Sequence, residues 1–484
     1  MKLLKKRWEL GSLTRNEQKA IHEASVDILW NCGIRVEQKA AADIFEQAGA
    51  WVSKEGKLYR IKLPRHLVEE SMKAAPGSFT MHARNPENSH EIKDGSLSYV
   101  AGFGEHIKII DGFKKEPRST TKQDLFNICK IQDKSGVFKM ANRAACSGDK
   151  SSQYQSIHNF HAMLQGTSKH CILGFNGGKC TKIIMDMAQI VAGGPEELKK
   201  APPLTCFVSP TSPLCLVSEA TEAMIEAIPR GVGIAITPMI LSGASGPATP
   251  LGTAIQHNCE FIMTITFAQC IRKGATCIMT NCSTMMDLRK AIAPVGVVEK
   301  ALNSLITVSM GDYYDIPTWA GAGATDSKLP DAQMGCDFSL TALPATLAGA
   351  NVVYGLGAVD SLITFDYAAL MIGIEQAERF IILRHGISFD PLNETVALIK
   401  EITGTKGSNN FLGHKHTFEH MRSMSTGELF NRDNREKWMK NGPIDISERA
   451  YLKAASIIAE HEPDPMPLDI ASALETIINQ LENG

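Results

Sequence analysis

The sequence predicts an α/β fold: a (β/α)8 TIM barrel with an N-terminal α+β appendage and a C-terminal helical tail. Three observations lead there. From Ser96 onward, short apolar runs recur, each followed by a helix-compatible segment. The runs are continuously apolar rather than alternating, as strands covered on both faces must be. They number eight, the count that closes a parallel sheet into a barrel with its chemistry at the C-terminal strand ends. A doubly wound open sheet shares the rhythm, and the count of eight favours closure. The clearest unit lies at 316–360. There an apolar run ends in the polar stretch Thr325-Asp326-Ser327-Lys328, a helical segment opens at Pro330, and a second apolar run follows. Proline suits that opening because its missing N–H costs nothing in a first turn.

Taken in order, residues 1–95 read as the appendage. Helical spacing over 16–30 ends at Gly33, a second helix is expected at 40–48 and a third at 64–75, with strands at 58–61 and 78–83. The barrel spans 96–390. Its strands are expected at 97–103, 140–146, 170–175, 204–208, 233–239, 276–281, 317–322 and 352–356. Helices are expected at 153–164, 182–191, 218–228, 252–272, 297–310, 331–347 and 367–383. A hairpin-like insertion at 107–118 turns at Asp111-Gly112. Residues 391–484 form the helical extension, with a helix at 392–402 and a charged helical tail over 446–481 broken by Pro463, Pro465 and Pro467. That tail is expected to pack on the barrel or on a second subunit of a homo-oligomer.

Composition narrows the function. A net charge of −2 over 484 residues suggests neither a nucleic-acid nor a membrane-surface partner. No apolar run reaches the length of a membrane span, and the basic start lacks the apolar core of a signal peptide. Twelve cysteines are scattered through apolar runs without a CxxC pair, the usage of a reducing cytoplasm. Gly321-Ala-Gly323 and Gly355-Leu-Gly357 lack the third glycine of a dinucleotide fingerprint, and Gly177-Gly178-Lys179 lacks the first glycine of a P-loop. No GxSxG elbow occurs. NAD and ATP chemistry are therefore unsupported. His414, His416 and His420 lie close together, but no cysteine or carboxylate set completes a zinc site around them. No metal is assigned, and packing or a lid over the barrel mouth is their expected use. His158 and His161 read as ordinary helix residues.

The strand ends are rich in glycine and small neutral polar residues, which either make tight turns or let a ligand come close. Aromatics are few, so their positions carry weight. Tyr99 and Phe103 fall on the first strand, Trp319 on the seventh and Tyr354 on the eighth, which are neighbours once the barrel closes. An inward wall of these rings suits a quaternary ammonium, each ring contributing about 0.5–2 kcal/mol by cation–π attraction. Core packing is the other use, for Trp319 above all.

At the rim loops the chain resembles the trimethylamine methyltransferase superfamily. The resemblance is carried by GIRV, KLYRIKLP, SFTMHAR, TDSKLPDAQMG and FLGHKHTFEHMR, and it covers nearly the whole chain. It implies a (β/α)8 barrel that moves a methyl group from a methylated amine to the cobalt of a separate corrinoid protein. The superfamily's founding members carry pyrrolysine near the barrel mouth, and this sequence contains only the twenty ordinary residue types. The resemblance is therefore to relatives acting on quaternary amines: glycine betaine first, proline betaine or carnitine next. It implies no tightly bound cofactor, a corrinoid (cobalamin) presented by a partner protein docking at the mouth, and no protein nucleophile. Tyr99, Phe103, Trp319 and Tyr354 are then expected to cage the ammonium. His106 and Asn281 are expected to orient a carboxylate end, with Asp326 or Glu105 as electrostatic partner of the cation. A betaine-binding regulator and a corrinoid-independent barrel lyase are the rival readings, the lyase needing a Schiff-base lysine within a strand.

Overall fold

The computed structural model describes residues 13–388, 391–405, 409–421 and 427–483. The basic start of the chain, on which the signal-peptide expectation rests, lies outside the described residues. Eight parallel strands form the centre: β1 (Ser98–Ala101), β2 (Met140–Asn142), β3 (His170–Gly174), β4 (Leu204–Val208), β5 (Gly233–Ile236), β6 (Cys277–Asn281), β7 (Thr318–Gly321) and β8 (Val352–Leu356). Each falls within its predicted run. They neighbour one another in chain order from β2 to β8, and β8 then pairs with β1. Around them lie α1 (Lys122–Lys134), α2 (Gln155–Gly166), α3 (Gly177–Ala192), α4 (Ser218–Ala227), α5 (Pro250–Ile271), α6 (Val298–Tyr314), α7 (Ala332–Ala348) and α8 (Tyr367–His385). This is the (β/α)8 barrel.

Helix α1 has no counterpart among the helices named from sequence. Its charged sequence hides the apolar stripe, but Thr121 and Asp124 form a capping box at its start, a local signal independent of hydrophobicity.

The seam between β1 and β2 is closed by side chains. The Oε1 of Gln132, on α1, accepts from the N–H groups of Ala101 (3.3 Å) and Asn142 (3.0 Å), and its Nε2 donates to the Asn142 carbonyl (3.0 Å). Asn142 in turn donates to the Ala101 carbonyl at 3.0 Å. Backbone groups that a ladder would satisfy are thus paired through one buried amide. Above this point the segments that follow β1 and β2 meet directly, His106 N–H bonding the Ala144 carbonyl and Cys146 N–H the His106 carbonyl.

The lower end of the barrel is stopped by a hairpin of Phe79–Met81 and His90–Ile92. Met81 and Ile92 join Val100, Met140, Ile172 and Ile278 in the barrel interior. His170 at the foot of β3 bonds the His82 carbonyl, and Asn351 bonds that of Lys93.

The appendage is more strand-rich than predicted. Ile34–Val36, Leu58–Lys62 and Trp51–Glu55 make a sheet whose outer strand, Cys215–Leu216, comes from the loop after β4. Gly33 makes the turn into it at φ +69°, where a Cβ would come 2.6 Å from the Ile61 carbonyl. At the mouth, Lys108–Ile110 pairs with Arg118–Ser119 as the predicted hairpin, and Thr364–Asp366 extends it. Helix Ile446–Glu460 lies along the barrel's outer helices, where the Tyr451 hydroxyl donates to Asp366 at 2.5 Å. The last helix, Leu468–Asn483, meets α2, where His161 lies 3.3 Å from Glu475. Among the described residues no helix is long and apolar enough to cross a membrane.

Candidate active site

Parity decides which side chains enter the barrel. Alternate residues of a strand face opposite sides, so Trp319 on β7 and Val352 and Tyr354 on β8 point inward. The β8 ladder shifts register between Tyr354 and Leu356, and Gly355 takes φ +133° with no room for a Cβ. Such a bulge re-aims a side chain at a strand end.

Tyr354 uses that freedom to lie across Gly321 of β7. A Cβ at Gly321 would stand 2.8 Å from the Tyr354 oxygen and 2.2 Å from the Asn281 carbonyl oxygen. With glycine there, the Tyr354 hydroxyl donates to that carbonyl on β6 at 2.5 Å. Burial holds its pKa well above the ordinary tyrosine value, so the group stays neutral and donating.

Phe103 stacks on Tyr354 with ring centroids 4.8 Å apart. Phe207 of β4 meets Tyr354 edge-on at 6.4 Å and Trp319 at 5.5 Å. Four rings, from the loop after β1 and from β4, β7 and β8, thus form one cluster in the upper barrel interior. Trp319 is fully buried and its indole N–H has no hydrogen-bond partner among the described residues.

The other expected site residues are placed differently. Tyr99 faces outward: its hydroxyl bonds Thr346 on α7 at 2.6 Å, in the layer between sheet and helices. Gly102, at φ +61°, breaks the alternation after it and turns Phe103 inward. His106 donates from Nδ1 to the Ala144 carbonyl at 2.6 Å, and burial pushes its pKa down to about 4. It is therefore neutral, and its partnerless Nε2 carries a lone pair. Asn281 accepts at Oδ1 from Ser283 N–H (2.7 Å).

The two carboxylates are already engaged. Asp326 accepts from the N–H groups of Val295 and Gly296 and from the Ser361 hydroxyl, clamping the loop before α6 to the loop after β8. Glu105 pairs with Arg143 at 2.9 Å and accepts from Asn159 at 3.1 Å. The structure thus brings together Phe103, Trp319, Tyr354 and Asn281, and keeps Tyr99, Asp326 and Glu105 apart from them.

Sequence reasoning missed two residues. Phe207 sits on a predicted strand at the parity opposite to Leu204, Cys206 and Val208, which pack outward. Lys300, in the first turn of α6, is 1% exposed. Its ammonium lies 5.7 Å from the Phe103 ring centroid and 3.4 Å from the Cys282 carbonyl oxygen. Its spacing with Ser304 and Thr307, both buried, was the available signal. Beside it, burial pushes the Cys282 thiol up to about 11, the nearby ammonium pulling the other way.

Among the described residues no group of three or more His, Cys, Asp or Glu is placed to hold a metal. His416 and His420 stack on each other at 4.1 Å on a short exposed helix.

Fold and site together define a protein of the (β/α)8-barrel class with an aromatic cluster in its interior. Residues 2–484 match the family described as Trimethylamine methyltransferase (MTTB). A trimethylamine methyltransferase MttB of Desulfitobacterium hafniense (strain DSM 10664 / DCB-2) is 35% identical over 474 residues, spanning 98% of this chain and 94% of that protein. A glycine betaine methyltransferase of D. hafniense strain Y51 is 28% identical, over 97% of this chain and 96% of its own length. The monomethylamine methyltransferase MtmB of Methanosarcina barkeri superposes with a TM-score of 0.51 over 95% of this chain and 97% of its own, at 10% identity, a likeness of fold alone. The chain belongs to the trimethylamine methyltransferase family, and it is a methyltransferase.

Proposed function

We propose that this enzyme moves a methyl group from a quaternary amine to the Co(I) of a separate corrinoid protein. Glycine betaine is the foremost substrate, with proline betaine or carnitine next. The observation that carries the reading is the cluster of Phe103, Phe207, Trp319 and Tyr354 inside the barrel. Aromatic faces attract a methylated ammonium that no hydrogen-bonding group can grip.

The chemistry fits a site without a protein nucleophile. The N–CH3 bond breaks with its electron pair left on nitrogen, so a neutral tertiary amine departs and no proton moves. The reduced corrinoid supplies the electron pair for the new bond to the methyl carbon. The chain's own work is to hold the C–N axis in line with the opening and to exclude water. Tyr354, braced on Asn281, sets one wall of that interior, and Phe103 covers its face.

The rim supports a protein partner at the mouth. Ile107, Met239, Leu288, Ile292, Leu329 and Ile363 lie in loops after the strands, each at least 44% exposed. Exposed apolar side chains on the loops around one end of the barrel suit a protein partner there better than open water. Twelve free thiols support a reducing, cytoplasmic setting for the reaction. The lyase reading needs a lysine on a strand, and β1 to β8 contain none.

The test is visible absorbance of a reduced corrinoid protein, with glycine betaine, proline betaine, carnitine and trimethylamine offered separately. Loss of the Co(I) band with a betaine, and not with trimethylamine, supports the proposal. An unchanged spectrum with all four, alongside calorimetric binding of a betaine, favours the binding-protein reading instead.

A further inference from the structure

Lys300 is a buried cation without a counter-charge. It is 1% exposed, and among the described residues no carboxylate lies within 4 Å of its ammonium. One of its three N–H donors has a long contact to the Cys282 carbonyl, and the Phe103 ring lies to one side. An ammonium taken out of water costs several kcal/mol unless an anion or a full set of acceptors replaces the lost hydration. Nothing described in the chain supplies that replacement.

The neighbourhood shows what is meant to supply it. Phe103, which faces the ammonium, also stacks on Tyr354, and Tyr354 is bonded to the residue next to Cys282. Lys300 therefore stands at the edge of the aromatic cluster. Carboxylates of the upper barrel are committed elsewhere: Asp326 to three donors of its loop clamp, Asp337 to the Thr325 hydroxyl and the Asp326 N–H, and Glu105 to Arg143.

We infer that Lys300 is the carboxylate-binding residue of this site, so that the enzyme selects a zwitterion whose anionic end pairs with Lys300 while its methylated ammonium lies among the rings. This rests on the quaternary-amine reading and sharpens it. The same charge acts against the wrong ligand, because a simple methylammonium without a carboxylate meets a like charge at close range. The role expected of His106 passes to Lys300: a neutral imidazole whose free nitrogen is an acceptor repels a carboxylate oxygen.

The experiment is calorimetry on the full chain and on Lys300→Met, which keeps the length of the side chain without its charge. Three ligands separate the two claims: glycine betaine, tetramethylammonium, and 3,3-dimethylbutyrate, which replaces the nitrogen of glycine betaine with carbon. The expected result is that Lys300→Met weakens both carboxylate ligands at least about tenfold and leaves tetramethylammonium unchanged or tighter. An equal loss for all three ligands, or unchanged binding of the carboxylates, overturns the assignment. Wild-type binding of glycine betaine no tighter than tetramethylammonium overturns it while leaving methyl transfer intact. Binding of 3,3-dimethylbutyrate without either ammonium sinks the quaternary-amine reading and supports Lys300. Should Lys300→Met not fold, competition on the wild type decides: 3,3-dimethylbutyrate should displace glycine betaine and 3,3-dimethylbutanol should not. Equal displacement by the two overturns the assignment.

Discussion

The hydroxyl of Tyr354 crosses β7 to reach the carbonyl oxygen of Asn281, 2.5 Å away on β6. One strand's side chain thus takes its position from a strand two places round the barrel. The pairing separates the two uses of the residue, its ring and its oxygen.

Replacing Tyr354 with Ala removes the ring that Phe103 stacks on. The Kd for glycine betaine or tetramethylammonium should rise about three- to thirtyfold, the span expected of one cation–π wall. Tyr354→Phe keeps the ring and removes the hydroxyl's hydrogen bond to the Asn281 carbonyl. It should cost about 1–2 kcal/mol of stability and leave both Kd values within about twofold. Unchanged binding in the alanine variant would remove Tyr354 from the cage.

Gly321→Ala places a methyl group against a backbone carbonyl that cannot retreat. Overpacking of this kind costs about 1–3 kcal/mol, and it should displace the Tyr354 ring. A lowered denaturation midpoint with weakened ligand binding is expected. An alanine variant indistinguishable from wild type in both would show that the ring does not depend on the glycine.

Gln132→Leu removes the amide and leaves the Ala101 N–H and both backbone groups of Asn142 buried without that partner. At about 1 kcal/mol or more for each, a loss of roughly 3 kcal/mol in denaturant unfolding is expected. A loss under about 1 kcal/mol would mean that β1 and β2 can zip together directly.

Asp366 gives a pH signature. Burial raises its carboxyl from 3.8 to about 6, against the opposing bond from Tyr451. Between those values the folded chain holds a proton that the unfolded chain has lost, so this group's contribution to stability falls as pH rises from about 4 to 6. Asp366→Asn cannot ionise. Its unfolding midpoint should gain on that of wild type across this window and run parallel above it. Parallel curves throughout would place the titration elsewhere.

Much of the barrel was legible because parallel strands are continuous apolar runs, and eight of them stand out from polar loops. What failed was finer. Tyr99 and Phe103 are four residues apart and would share a face in an unbroken strand. The left-handed turn at Gly102 sends them to opposite sides, and no periodicity announces it. Phe207 was readable from parity alone, whereas the spacing of Lys300 with Ser304 and Thr307 signalled its burial but not the ring it faces. Asp326 looked free in sequence because its partners, Val295, Gly296 and Ser361, are backbone and hydroxyl donors some thirty residues distant. The strand Cys215–Leu216 is two residues long and exists only because the appendage offers it an edge.

The hairpin that stops the lower end of the barrel has a kinetic meaning. With Met81 and Ile92 seated in the interior, the described residues close the lower end, and the mouth is left as the way in, the end over which a partner protein would settle on the proposed function. On the methyl-transfer reading the small amine must already be inside when the large acceptor arrives, and its demethylated remnant must wait for that acceptor to leave. The reaction is then a queue rather than a corridor: a compulsory order of arrival, with departure in reverse, imposed by a plug at the far end from the chemistry.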